Sequence, residues 1–357
     1  QEGLSFPNAD LIRDLSFSSG GFEARYGDKM SSVLDIIYKR PDSLAGSVTA
    51  SLLGGGAHLE GSIKPYKSAY GKLRYLVGAR YKTTRYLLGS LDTKGEYLPN
   101  FTDLQAYLTY DINPDWQLAL IGNYNLASYK FKPKESEVPT GIFINTLRLS
   151  ADFEGQEDDR FLNLMSGLTL TYVPEGKRHP VFVKLISSIY NADEREGIDI
   201  LSDFQIKVIE VDFEKGGSKE VGTLGAGIQQ NYVRNRLQYL ISNYEIKAGI
   251  EFPRFFANSE RSHFLYGGIK FQKEHFIDRI NEWNRSDSVG YSLPFDDEIY
   301  QLNEVIKSSN DISTNRISGF LQETFTYKLK SRFEIQATIG LRAAHWTFNK
   351  ETILSPR

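Results

Sequence analysis

The sequence predicts an all-β chain whose strands form a transmembrane antiparallel β-barrel. Three observations carry this. Several stretches alternate apolar and polar residues with a period of two. Short turns and long polar links follow one another between those stretches. The composition is aromatic-rich and methionine-poor, with 21 Tyr and 22 Phe against 2 Met. Aromatic residues suit both a pleated, half-buried surface and a lipid–water boundary. No apolar run is long enough for a spanning helix; spanning strands remain open, because only every second barrel residue meets lipid. The same alternation explains a mean hydropathy of −0.38.

Composition narrows the remaining classes. The chain has 357 residues and a net charge of −3, so no basic field argues for nucleic acid. Cysteine is absent, which excludes disulfides, thiolate metal sites and a cysteine nucleophile. The first residue is Gln1, with no signal peptide after it, and reads as a processed or truncated start.

Taken in order, residues 19–40 come first: a Gly20-Gly21 turn, then Arg25-Tyr26-Gly27, a small-residue step at Ser31-Ser32, an alternating strand from Val33 to Tyr38, and the basic pair Lys39-Arg40. Barrel strands are expected at 45–53, 56–65, 71–83, 102–112, 116–130, 161–173, 180–193, 236–252, 263–279, 314–327 and 333–346, about 11 in all. Gly54-Gly55-Gly56 lacks the Lys-Ser/Thr of a phosphate loop and reads as a bend between the first two. In 71–82, Leu73, Tyr75, Val77, Ala79 and Tyr81 share one face, and Leu76 alone breaks the polar one. Leu104 to Ile112 and Trp116 to Tyr124 repeat the pattern. So do Ile317 to Tyr327, interrupted by Glu323, and Phe333 to Leu341.

Short turns are expected at Asn113-Pro114-Asp115, between Pro174 and Pro180, and from Tyr327 to Arg332. Long polar loops are expected at 84–101, 131–160, 194–235 and 280–313, with Ile142 to Phe153 alternating inside an extended loop. Such asymmetry fits periplasmic turns opposite extracellular loops. Tyr110, Trp116, Tyr172, Phe252, Phe264, Tyr327 and Phe333 fall near strand ends, where rings would form interfacial belts; the plain alternative is an ordinary sheet core.

Catalytic and metal chemistry is weakly represented. His58, His179, His263, His275 and His345 show no close pairing, so no metal is expected. Glu157, Asp158 and Asp159 could take a cation, but a solvated loop is the favoured reading. A hydrolase using His179 with Ser187 or Ser188 lacks any nucleophile-elbow motif. Arg74, Arg80, Lys82, Arg148 and Arg342 are expected to face a lumen and pair with carboxylates of the N-terminal segment, where Glu23, Arg25 and Asp28 offer charges.

The run from Ser19 to Arg40 resembles the last segment of the plug domain in TonB-dependent outer-membrane receptors, and the stretch from Gly340 to Arg357, with Trp346, Asn349, Glu351 and Ser355-Pro356-Arg357, is similar to mid-barrel sequence of the Bacteroidota type. The Ser19–Arg40 run supplies the plug pattern. It departs from that pattern at Met30-Ser31-Ser32 and at Tyr38-Lys39, which leans away from the glycan-importing SusC-like branch. The resemblance implies a fragment: residues 1–42 end the plug, and residues 43–357 form about the first half of a barrel of about 22 strands. Gly20, Gly21, Arg25, Tyr26, Gly27, Ser31 and Lys39 would be its structural plug motif. It further implies a Gram-negative outer-membrane location and active import of a scarce or large nutrient, with no covalent chemistry and no cofactor. The implied partners are the TonB–ExbB–ExbD complex through an upstream region, outer-membrane lipid and a surface lipoprotein. Two rivals stand beside it: a non-transport barrel serving adhesion, assembly or secretion, and a soluble β-sandwich that binds glycans.

Overall fold

The computed structural model describes residues 8–27, 31–64, 70–83, 95–142, 145–176, 179–212, 217–256, 259–287, 301–329 and 333–357. A short 3-10 turn at Ala9–Leu11 opens the described chain, capped by the Asn8 side chain, which accepts from the Asp10 amide at 3.1 Å. Strands β1 (Ile12–Ser18) and β2 (Val33–Tyr38) then pair antiparallel as a small separate sheet.

Everything after it belongs to one 14-stranded antiparallel sheet. Its strands are β3 (Ala45–Ser51), β4 (Gly54–Ile63), β5 (Lys72–Thr83), β6 (Gly95–Tyr97), β7 (Asn100–Asp111), β8 (Trp116–Pro133) and β9 (Ser136–Ile142). There follow β10 (Asn145–Tyr172), β11 (Val181–Asp212), β12 (Gly217–Phe256), β13 (Ser259–Ser286), β14 (Gln301–Leu329), β15 (Phe333–Trp346) and β16 (Glu351–Pro356). Order in space follows order in sequence, apart from short β6 and β9, which lie beside β8 and β10. The expected all-β antiparallel class is therefore the observed one.

Three expected loops are corrected. Residues 131–160, 194–235 and 280–313, where described, are largely strand, because the hairpins continue far beyond the expected strand ends. β11 has 32 residues and β12 has 40. At roughly 3.3 Å per residue β11 is about 105 Å long, where a tilted membrane crossing needs only about 9–11 residues. The extensions all occur at the same end of the sheet, opposite the short connection at 112–115 and the ends of β10 and β14 at Tyr172 and Leu329. Ile142 to Phe153 likewise sits in the β9–β10 hairpin at that end. Within 84–101, residues 84–94 lie outside the described residues, and the rest is mostly strand; 330–332 of the expected Tyr327–Arg332 turn also lie outside them. The count rises from about 11 to 14 through β6, β9 and β16. The glycine bend is corrected too: the β3–β4 turn is Leu52-Leu53, and of the three glycines only Gly54 keeps a positive φ, of 128°, where an added Cβ would collide with the Tyr81 carbonyl oxygen.

Burial runs inside out. The buried side chains of the large sheet include Asp103, Gln105, Thr109, Asn123, Ser318 and Gln322, whereas Leu185, Ile246, Ile269, Leu321 and Ile339 are exposed. Register explains this: Ile63, Leu73, Tyr110, Leu118, Leu170, Leu185, Ile246, Ile269, Gly319, Ala343 and Leu354 lie opposite one another from β4 to β16, and none carries a charge. One row nearer the short turns, Trp116, Tyr172, Val183, Ala248, Gly267, Leu321 and Leu341 do the same. The apolar band covers Leu162–Tyr172 on β10 and Ile317–Tyr327 on β14; about ten residues tilted near 45° give roughly the 25 Å of an outer-membrane hydrocarbon layer.

Exceptions to the alternation have local causes. Leu76 is 1% exposed and lies on the polar face opposite Tyr107, whose ring stacks on Tyr38 of β2 at 5.1 Å. Glu323 interrupts the apolar face but meets His263 at 3.2 Å, so the intrusion is paired. Among the expected belt aromatics, Trp116 and Tyr172 pack together at 4.6 Å and Phe333 is exposed. Phe264 is a correction: it turns to the other face, against Phe182 and Tyr266.

The sheet is concave. Residues 8–40 touch its polar face on β4, β7, β14 and β15, through Lys39–Glu60, Asn8–Gln105, Arg25–Gln322 and Gly27–Arg342. Laid flat at about 4.8 Å per strand, β4 and β15 would stand roughly 43 Å apart. The small sheet is only about 23 Å long at roughly 3.3 Å per residue. The wall must therefore curve round it.

Candidate functional site: the seat of the N-terminal segment

Each end of the segment is fixed to the concave face in its own way. At one end the Asn8 amide donates to Gln105 Oε1 at 3.3 Å. Gln105 belongs to a buried cluster around Asp103, which is fully enclosed. The Asp103 carboxylate accepts from Arg80 at 2.9 and 2.7 Å, from Asn123 at 2.9 Å and from Gln105 at 3.3 Å. A buried carboxylate is tolerable only with such partners. Lys39 ties β2 back to Leu11 through its amide at 3.0 Å and reaches Glu60 at 3.5 Å. His58 stands beside Ser47 at 2.6 Å and Asp10 at 3.9 Å.

At the other end the turn after β1 meets β14 and β15. Gln322 accepts from the Arg25 amide at 3.3 Å and donates to Glu23 at 2.7 Å, a two-way clasp on one glutamine. Ala24 is wholly buried, and a Cβ added at Gly340 would stand 2.6 Å from its own Cβ. The Arg342 guanidinium lies flat against Gly27 and donates to Ser318 at 3.0 Å, so any side chain at Gly27 would displace it.

The motif residues divide accordingly. Gly21 has a φ of 63°, a left-handed turn conformation that favours glycine, whereas Gly20 is exposed with open space around it. Arg25 pairs with Glu23 at 3.0 Å and lies 4.5 Å from the Tyr26 ring. Tyr26 donates to Asp35 at 2.7 Å; burial and then that bond push its hydroxyl pKa up to about 12. Ser31 is exposed, and Asp28 lies outside the described residues.

The expected arginine pairing is partly corrected. Arg74 and Lys72 hold Asp42 at the end of the segment, and their hydrogen bonds keep its carboxyl below the usual range. Arg80 serves Asp103 within the wall, and Arg148 pairs with Glu137 at 3.7 Å in an outer hairpin. Glu23 finds a wall glutamine where an arginine was expected. Gln105 and Gln322, the two residues that grip the segment, carry no sequence signal beyond their place on the polar face.

Two recesses flank the segment. One of about 830 Å³, toward the long hairpins, is lined by Asp10, Arg80, Phe101, Tyr129, Glu157 and Phe161. The other, of about 990 Å³ toward the short turns, is lined by Arg40, Lys72, Asp111, Lys184 and Glu251 among others. Glu157 and Asp159 lie in β10 beyond the apolar band and face inward, where a solvated loop was expected; Asp159 is 9% exposed. Burial first, then the neighbouring Asp159, raises the Glu157 pKa to about 7. The histidines stay dispersed among the described residues: His275 meets Asp311, His345 meets Thr352, and His179 packs on Phe252. Ser188 accepts from Asn243, not from a histidine.

The sequence matches no family model and no curated protein sequence. Solved structures do align with it. The ferripyoverdine receptor of the outer membrane of Pseudomonas aeruginosa aligns at 11% identity and a TM-score of 0.30, over 96% of this chain and 62% of that one. The FpvAI–pyocin S2 complex aligns at 10% and 0.29, over 96% and 63%. The siderophore receptor PirA from Pseudomonas aeruginosa aligns at 10% and 0.25, over 97% and 82%. The chain thus spans about three-fifths of the length of the first two.

Proposed function

We propose that the chain is part of a TonB-dependent outer-membrane receptor of Bacteroidota type that imports a scarce or large nutrient. In this reading residues 1–42 end the plug and residues 43–357 form part of the barrel wall, embedded in outer-membrane lipid. The observation that carries the reading is the seating of residues 8–40 on the polar, concave face of a sheet whose other face is apolar. A wide barrel needs a stopper, and a stopper needs a polar seat.

The seat is also suited to being undone. Its polar grip consists of single hydrogen bonds and half-exposed ion pairs, each worth about 1 kcal/mol or less net, beside small local packing contacts of Tyr38 on Tyr107 and Ala24 on Gly340. Such contacts yield one after another to a pull, whereas a large apolar core would not. External work from the TonB–ExbB–ExbD complex, applied upstream, would shift the population from seated to open with no bond made or broken. The recess facing the long hairpins would receive the ligand, with a surface lipoprotein as a further partner.

The test is binding of the receptor in detergent to the purified periplasmic domain of TonB, combined with a disulfide tether between positions 24 and 340, introduced by A24C/G340C into this cysteine-free chain. The reading expects TonB binding, and oxidation of the tether should abolish nutrient-dependent growth that reduction restores. A receptor that never binds TonB, or works equally well when tethered, would support the non-transport barrel instead.

A further inference from the structure

The recess on the side of the long hairpins sets aromatic rings beside carboxyl groups. Asp10 of the N-terminal segment borders it, and its wall carries Phe101 on β7, Tyr129 on β8 and Phe161, Asp159 and Glu157 on β10. Register brings these side chains together. Phe101 stands opposite Ala127, and Ala127 opposite Phe161. At the next inward-facing positions toward the hairpin tips, Tyr129 lies opposite Asp159, and then Phe131 opposite Glu157. Phe131 stacks on Tyr97 at 4.7 Å, and Tyr97 reaches Tyr129 at 6.4 Å, so the flank beside the two carboxyls is aromatic.

The charge of this recess is unbalanced. Asp159 accepts from the Gly197 amide at 3.3 Å, and Glu157 and Glu196 beside it are acidic too. Among the described residues no basic side chain answers Glu157 or Asp159. Burial and then the Asp159 neighbour leave Glu157 protonated up to about pH 7, as two carboxyls without a cation between them require. Two basic side chains line the recess, and neither supplies that cation. Arg80 is forked onto Asp103 at 2.9 and 2.7 Å. Lys82 belongs to β5, three strands or about 14 Å from β10 at roughly 4.8 Å per strand.

We infer that this recess binds an organic cation, a molecule carrying a guanidinium or ammonium group on an apolar body, through Glu157, Asp159 and the flanking rings. Its volume of about 830 Å³ lies within the roughly 300–1,000 Å³ that encloses a small organic molecule. A bare metal ion suits it poorly. Calcium takes about 6–8 oxygen ligands, and among the described residues no third histidine, aspartate or glutamate closes on the pair. Ring faces carry the negative pole of the aromatic quadrupole, so rings beside carboxylates favour a cation with an organic body. The inference rests on the receptor reading, in which the same recess receives the nutrient, and it narrows that nutrient to a basic one.

Isothermal titration of the chain in a nonionic detergent at pH 8 tests it, with the blocked peptide acetyl-Arg-Trp-Arg-amide as the probe. The same peptide with citrulline for arginine keeps the size and shape, lacks the charges and serves as control. Wild type should bind the arginine peptide at least tenfold more tightly than the citrulline one. E157Q/D159N, an isosteric change that also relieves the repulsion, should lose at least tenfold for the arginine peptide and nothing for the control. E334Q/E351Q removes two exposed carboxylates elsewhere and should behave as wild type. As a second probe of the wall, Y129L should weaken the arginine peptide by about 2- to 5-fold, and Y129F should not. Equal binding of both peptides, no loss in E157Q/D159N or in Y129L, or an equal loss in E334Q/E351Q would overturn the assignment. So would displacement of the peptide by an equal concentration of calcium chloride. Failure to bind TonB would instead remove the receptor reading, a result separate from any of these.

Discussion

Replacing Gly340 by alanine should loosen the N-terminal segment, and its size can be worked out from the contact. The new methyl would stand 2.6 Å from Ala24 Cβ, 3.0 Å from Gln322 Cβ and 3.2 Å from the Leu321 carbonyl oxygen. Carbon atoms settle at about 3.5–4.0 Å, so the segment must retreat by roughly 1 Å. None of the three atoms is the end of a flexible side chain, so backbone must move. The Arg25–Gln322 hydrogen bond, already 3.3 Å long, is then stretched beyond use. Overpacking of this kind costs about 1–3 kcal/mol, a shift of about 5- to 150-fold in the seated population. Hydrogen exchange of peptides covering 12–18 and 33–38 reads that population directly. Their exchange should accelerate within this range in G340A, while peptides from β11 and β12 stay unchanged. Ala24→Gly removes the opposing methyl, so A24G/G340A should recover most of the protection. Unchanged exchange in G340A, or no recovery in the double variant, would refute the packing argument.

Other consequences follow from the same geometry. Asp103→Ala removes an enclosed carboxylate that accepts from Arg80, Asn123 and Gln105, and should lower unfolding stability by about 3–5 kcal/mol, seen as an earlier urea midpoint in micelles. Ile269→Arg puts a charge on the apolar row and should cost about 2–4 kcal/mol in lipid, whereas Gln272→Arg on the polar face should cost far less in the same titration. Because Glu157 holds its proton up to about pH 7 in the folded state, that state binds more protons than the unfolded chain between the ordinary carboxyl pKa and 7. Stability of the outer ends of β8, β10 and β11 should therefore fall as pH rises through that window. Exchange at residues 154–160 should be faster at pH 8 than at pH 5 after correction for intrinsic rates, and E157Q should flatten the difference.

The sequence was most legible where one face of the sheet is apolar and the other polar. Phe333, Ile335, Ala337, Ile339 and Leu341 alternate because one side of β15 is apolar and the other is not, and their register follows. Legibility failed where both faces meet water. Phe204, Ile206 and Val208 alternate with Gln205 and Lys207, but a membrane crossing calls for no strand this long, so 194–235 reads as a loop although its described residues are paired strand. The segment's seat was half visible. Gly21 and Gly27 stood out as turn glycines, whereas the carboxylate that Lys72 and Arg74 meet is Asp42 and not the Glu23 or Asp28 singled out from the sequence. The grip of Gln105 and Gln322 was not visible, since a glutamine facing a lumen looks alike whether it holds a partner or water. Leu76 and Glu323 read as faults in alternation; each answers to a neighbour far away in sequence, Tyr107 and His263.

Site-directed spin labelling along β11 tests the two-faced wall most directly, since the chain has no native cysteine. Single cysteines from Val183 to Tyr190, labelled with a nitroxide in liposomes, would be scored for collisions with oxygen and with a water-soluble nickel chelate. The account predicts high oxygen access at 183, 185, 187 and 189 and low access at the positions between them, with a strict period of two. Uniform access along the strand, or nickel access equal on both faces, would contradict it.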